Sequence, residues 1–229
     1  GRYALYSADQ ERSEVELLLY ENRLRAAIAQ DALDIVFQAQ RNARTGLIVG
    51  AESQLRWRDA GLGAVPVAKA IAAAESAGLV NEVTLWLVNG ALRNCRQFRD
   101  AAGLDLRVGV TLSAKSLRQA DLPDFVLSAL KTWNLRPSRL SLEITETQVL
   151  ASSLESVETL QRLREAGVRL SLDDASAGYA SLAWLATLPF HELRVDLANI
   201  GDIVDSPQHL ALVRALVELA HRLKMEVLV

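Results

Sequence analysis

One cysteine, Cys95, stands alone in a chain of 229 residues. A disulfide within the chain is excluded, and a reducing, cytoplasmic setting is the expectation. Cys95 sits in a helical pattern with no histidine partner, which reads as packing rather than as a nucleophile. The three histidines, His191, His209 and His221, lack the spacing of metal ligands. No apolar run approaches the ~20 residues of a membrane span and no secretory signal is present, so no direct membrane insertion by this segment is expected. Charge of one sign is also lacking. Acidic residues number 28 and Lys plus Arg 25, intermixed, for a net charge of −3. That excludes the basic surface of a nucleic-acid binder. The chain begins at Gly1 without Met and reads as a piece of a longer protein.

What is present is apolar content, half of all residues. That is ample for one large core. The first fourteen residues are polar with scattered aromatics and read as a linker or the tail of a preceding domain. Residues 14–30 show helical spacing, with Leu17, Leu18, Leu24 and Ile28 on one side. LDIVFQAQ follows as a strand, RNARTG as a turn with Gly46 free to take a positive φ, and LIVGAESQLRW as a second, neighbouring strand.

From there helices and strands alternate. The strands are LRVGVTLS, RLSLEITE, VRLSLDD, ELRVD and MEVLV, making seven in all. The helices include VPVAKAIAAAESAG, NEVTLWLVNGALRNCRQFRDA, LPDFVLSALKTW, residues 154–166 before Gly167, YASLAWLATL and PQHLALVRALVELAHRL. Such alternation predicts right-handed βαβ units and a largely parallel sheet. A (β/α)₈ barrel needs eight strands and about 250 residues, so the fold class expected is a TIM-like α/β barrel lacking its last strand and helix. A doubly wound open sheet is the fallback, but its Gly-rich first turn is missing.

Acidic residues close four of the strands: Glu52, then Glu143 and Glu146, then Asp173 and Asp174, then Asp196. In a barrel these ends share one face, where active sites lie. Converging carboxylates repel unless a cation sits among them. Oxygen donors without Cys or His suit Mg²⁺, Mn²⁺ or Ca²⁺, and two such ions serve phosphodiester hydrolysis. Each acid alone also reads as a cap or a solvated loop end, Asp174 especially. Alternation puts Glu52, Gln54 and Arg56 on one side of their strand and Ser53, Leu55 and Trp57 on the other. Arg56 is either a rim salt bridge to Glu52 or Asp59, or a bidentate grip on a phosphate. Gln38, on the neighbouring strand, is a surface amide or reaches the same ligand.

These residues resemble the EAL domains of bacterial cyclic di-GMP signalling proteins, over nearly the whole chain after residue 15. VFQAQ is similar to the family's YQP strand, ESQLRW to EAL-x-R-W, and GAVPVAKAIAAAESAGLV to G-x-x-x-P…AE-x-x-G-L. VTLSAKSL is similar to NLSA, LEITET to E-I-T-E, LDDASAGYASL to DDFGTGYSSL and LRVD to K-I-D. GRYALY resembles the closing strand of a GGDEF domain, which implies a GGDEF–EAL tandem parent.

The resemblance implies a barrel binding cyclic di-GMP at the strand ends. Glu52, Thr111, Glu143, Asp173 and Asp174 would be the metal positions, with Mg²⁺ or Mn²⁺ if the domain is active. Glu52, Glu143, Asp173, Asp174 and Arg194 would be the catalytic set, vestigial if it is not. Gln38, Glu52, Leu55, Arg56, Thr111, Ser113, Asp173 and Asp196 would contact the nucleotide, and Glu146 would hold the loop after Asp174.

The chain departs from the pattern at several of these places. Ser53-Gln54 replaces Ala-Leu, Thr111 replaces the metal-binding Asn, Arg194 replaces the catalytic Lys, and Ala175-Ser176-Ala177 replaces Phe-Gly-Thr. Arginine is bulkier than lysine and cannot act as a compact ammonium. Losing a metal ligand or the Lys removes several kcal/mol of transition-state stabilisation. The expectation is a degenerate domain, a cyclic di-GMP receptor with little or no hydrolysis. An active phosphodiesterase releasing linear pGpG is the first alternative, and a protein-interaction module without nucleotide the second. Expected partners are the adjacent GGDEF domain and, from the apolar helix YASLAWL, a homodimer or a protein effector.

Overall fold

The computed structural model describes residues 8–30, 32–150, 153–174, 188, 190–196 and 206–229. Helix α1 (Ala8–Ala29) leads into an antiparallel pair, β1 (Leu33–Arg41) and β2 (Ile48–Asp59). The turn between them is built by Asn42, whose side-chain oxygen accepts from the amides of Arg44 (3.1 Å) and Thr45 (2.9 Å). Gly46 takes φ 70° there, as the turn requires. A short strand, β3 (Gly63–Val65), folds back on β2. After helices α2 (Val67–Ser76) and α3 (Val80–Ala102) the parallel rhythm sets in.

Strand β4 (Arg107–Thr111) is followed by α4 (Ala114–Leu117) and α5 (Leu122–Thr132). Strand β5 (Leu140–Thr145) is followed by α6 (Glu146–Leu150) and α7 (Leu154–Glu165). Strands β6 (Arg169–Asp173) and β7 (Glu192–Arg194), helix α8 (Pro207–Arg222) and strand β8 (Glu226–Leu228) complete the described elements. The sheet runs β1-β2-β4-β5-β6-β7-β8, parallel from β2 onward along this path, with β3 attached to β2. Among the described residues no pairing joins β8 to β1. The architecture is a mixed, partly closed TIM-like α/β fold, and the seven predicted strands are the seven of this path.

Three expectations need correction. The helix begins at Ala8, ahead of the stretch whose spacing predicts it. Leu18 is 56% exposed, because it stands about 100° around the helix from Leu17 and away from the buried Leu24. Strand β3 was not anticipated: its three residues, opening on Gly63, carry no readable alternation. The predicted helix YASLAWLATL, apart from Leu188, and the segment GRYALY lie outside the described residues.

The period-two pattern divides the sheet. One face carries Val108, Val110, Leu140, Leu142, Ile144, Leu170, Leu172 and Leu193, all at most 1% exposed, packed with Leu92, Val126, Leu130, Leu160 and Leu163 of the helices. Burial of this apolar surface is the main stabilising force. A second cluster joins Leu24, Leu55, Trp57, Val65, Ala70 and Val83 under α1 and α2. Register puts a different set on the other face: Gln38, Glu52, Gly109, Thr111, Ser141, Glu143, Ser171, Asp173, Glu192 and Arg194. The fold thus has apolar packing outside the sheet and a polar interior within it.

Candidate functional site

Four inward positions near the C-terminal strand ends meet at one guanidinium. Arg194 Nη1 donates to Glu143 Oε2 (3.1 Å) and lies 3.5 Å from Asp173 Oδ2, while Nη2 pairs with Glu52 Oε2. These residues come from β7, β5, β6 and β2. Thr111 Oγ1 on β4 donates to the same Glu143 oxygen at 3.2 Å. Gly109, beside Glu52 in the β2–β4 register, leaves the room Glu143 uses: a Cβ there would collide with Glu143 Oε1 and lie 3.1 Å from its carboxyl carbon.

Environment sets the charges. Glu143 is 1% exposed, and burial pushes its carboxyl up to about 7, reinforced by Glu52 and Asp173 and opposed by Arg194 and Thr111. Burial also raises Asp173, against the pull of Arg194. Burial of Arg194 works against its charge, but Glu143, Glu52 and Asp173 outweigh it and hold the guanidinium more firmly protonated than usual.

A cavity of about 670 Å³ opens over this cluster, lined by Gln38, Gln40, Glu52, Asp173, Asp174, Arg194 and Asp196 among others. Asp174 is exposed at φ 54°, with its amide donating to Asp173 Oδ1 (2.8 Å). Along β2, Gln54 Nε2 approaches Gln38 Oε1 (3.5 Å) and Glu52 Oε1 (3.4 Å), and Arg56 Nη2 approaches Gln54 Oε1 (3.4 Å). Among the described residues neither expected salt bridge of Arg56 forms: Asp59 pairs with Arg23 at 2.7 Å and Glu52 with Arg194.

A second, more apolar cavity of about 400 Å³ lies between β2, α2, α3 and β4. Ser113 borders it and caps α4, accepting from the Ser116 amide at 3.0 Å. Leu55, expected at the ligand, is 3% exposed on the helix-facing side, where it borders this second cavity, and Gln54 shares the Glu52 face. Glu146, 8% exposed, opens α6, and the loop it was expected to hold lies outside the described residues.

A second charged group, not among the residues expected from the sequence, lies at the other end of the interior. Arg107 lies 3.0 Å from Glu226 and 3.6 Å from Glu192, and Arg169 lies 2.9 Å from Glu226. The signal was present: Arg107 is two residues before Gly109, Arg169 four before Asp173, and Glu192 two before Arg194.

The carboxylates offer the oxygen chemistry of a divalent ion site, but as arranged they do not fit one. The facing oxygens of Glu52, Glu143 and Asp173 are directed at Arg194, whose guanidinium stands among them. Among the described residues no group of three or more acidic, His or Cys side chains is set out to hold a metal.

Fold and site together define a partly closed TIM-like α/β domain with carboxylates converging at one guanidinium. Residues 21–229 match the EAL domain model, and the chain belongs to the EAL domain family. It is 31% identical over 225 residues to the bifunctional diguanylate cyclase/cyclic di-GMP phosphodiesterase MucR of Pseudomonas aeruginosa, covering 98% of this chain and 33% of MucR. It is 34% identical over 227 residues to the cyclic di-GMP phosphodiesterase NbdA of the same organism, covering 99% of this chain and 28% of NbdA. The chain therefore spans about a third or less of these relatives. The solved MucR phosphodiesterase in complex with c-di-GMP superposes with TM-score 0.82 at 32% identity, covering 93% of this chain and 85% of that one. The Xanthomonas citri FimX EAL domain shares the fold, with TM-score 0.83 at 22% identity over 95% of this chain and 84% of that one.

Proposed function

We propose that this chain is a cyclic di-GMP-binding EAL domain of bacterial second-messenger signalling, acting as a receptor or regulatory module with little or no hydrolysis. Family membership and the likeness to the MucR complex support the ligand. The observation that carries the loss of hydrolysis is Arg194, which stands where the family has lysine and engages Glu52, Glu143 and Asp173 together. In this reading Gln38 and Asp196, which line the larger cavity, and Arg56, further along β2, contact the nucleotide. A cytoplasmic location and an adjacent GGDEF domain belong to the same proposal.

The convergence of three carboxylates favours one other reading, an active phosphodiesterase dependent on Mg²⁺ or Mn²⁺. Calorimetric titration of cyclic di-GMP into the domain within its full parent chain separates the two, with Arg56→Ala as the control for this site. Micromolar binding with Ca²⁺, and no slow heat or linear product with Mg²⁺ or Mn²⁺, is the expected result. Sustained heat with linear dinucleotide accumulating establishes the enzyme. No heat attributable to this site under any ion leaves a protein-interaction module.

A further inference from the structure

We propose that Arg194 is a tethered cation that replaces the divalent ion of this site, so that the folded wild-type domain needs no metal here and excludes it. The inference rests on the receptor reading only for its purpose; its evidence is geometric. Three carboxylates on β2, β5 and β6 require a positive charge between them, since unpaired like charges at this spacing repel. A guanidinium is planar and presents several donors at fixed angles, so it can engage several carboxylates at once. Arg194 does this, with Nη1 toward Glu143 (3.1 Å) and Asp173 (3.5 Å) and Nη2 toward Glu52. A divalent ion binding the same oxygens would have to expel a side chain that is only 17% exposed. Its charge would also oppose that of the arginine. Thr111 completes the arrangement by donating to Glu143.

Mn²⁺ binding, followed by the electron paramagnetic resonance of the free ion, tests this without any nucleotide. Thermal unfolding with Mn²⁺ and with chelator provides the second readout. Wild type is expected to leave millimolar Mn²⁺ free and to melt identically in both. Removing one partner of a buried charge cluster is strongly destabilising, so Arg194→Ala is expected to lower the Tm by roughly 10 °C in chelator. Mn²⁺ should recover most of that loss while one ion is taken up, and Glu52→Gln in the same background should abolish the uptake. Arg194→Lys, which keeps a charge but vacates space, is the second variant should the alanine protein not fold, and is expected to take up Mn²⁺. Uptake by wild type that Glu52→Gln abolishes overturns the proposal. So does the absence of uptake by every folded Arg194 variant. Neither result depends on cyclic di-GMP, so the receptor reading stands or falls separately.

Discussion

Gly109 on β4 and Glu143 on β5 occupy one space: the missing side chain of the first is where the carboxyl of the second lies. The tight fit places Glu143 against Arg194 and Thr111. Gly109→Ala is therefore expected to cost about 1–3 kcal/mol, the usual range for overpacking a filled interior. In a Glu143→Ala background the same substitution should cost far less, a coupling of about 0.5–3 kcal/mol between touching sites. Urea unfolding of the four proteins of the cycle measures it, and additive costs would show that the two residues do not compete.

The strand pattern was legible because alternation is local: Leu140, Leu142 and Ile144 against Ser141 and Glu143 declare two faces without any partner strand. So was the need for a cation among Glu52, Glu143 and Asp173. Its identity was not. Glu52 and Arg194 are 142 positions apart, and their meeting depends on the parallel register of the strands between β2 and β7, which no local pattern encodes. Acids at strand ends point to a metal on their own, and Arg194, two residues from Asp196, reads in the sequence only as a substituted lysine. β3 escaped for a different reason, since three residues are too few to show a period.

Glu143 makes stability depend on pH. Its carboxyl is held at about 7, above its ordinary 4.5, chiefly by burial, so the folded state binds the proton more tightly than the unfolded. The resulting stabilisation is full below about 4.5, falls as pH rises, and is gone above about 7. Its size is on the order of 3 kcal/mol, from about 1.4 kcal/mol per pH unit. Asp173, raised in the same direction, adds to the same trend. Glu143→Gln keeps the shape without the titration, so its Tm profile should be flatter than that of wild type between pH 5 and pH 8. Parallel profiles would place the titrating group elsewhere.

The charged group at the far end of the interior separates buried from exposed pairing. Glu192 is 6% exposed at its side chain and Glu226 57%, yet both reach Arg107. Glu192→Ala should cost about 2–4 kcal/mol, because it strips a partner from a mostly buried guanidinium. Glu226→Ala should cost under about 1 kcal/mol, and high salt should shrink that further. Equal losses in chemical denaturation would mean that burial does not rank these pairs.

Arg56 is the residue whose loss should weaken ligand binding and leave the fold alone. It is exposed, and among the described residues its one described polar contact is the long approach to Gln54 at 3.4 Å. On the face shared with Gln38 and Glu52 it stands opposite Asp34 in the β1–β2 register, and among the described residues it forms no ion pair. A phosphate would supply one anionic partner in the bidentate geometry that arginine favours. A hydrogen bond to a charged group contributes about 1.5–3 kcal/mol, so Arg56→Ala should weaken cyclic di-GMP binding roughly 10- to 150-fold at unchanged Tm. Arg56→Lys keeps the charge without the fork and should fall between alanine and wild type. Raising the salt should narrow the gap between Arg56→Ala and wild type, since part of the lost interaction is screened Coulomb attraction. Unchanged affinity in both variants would move the phosphate contact off this strand and leave Arg56 as a solvated surface residue.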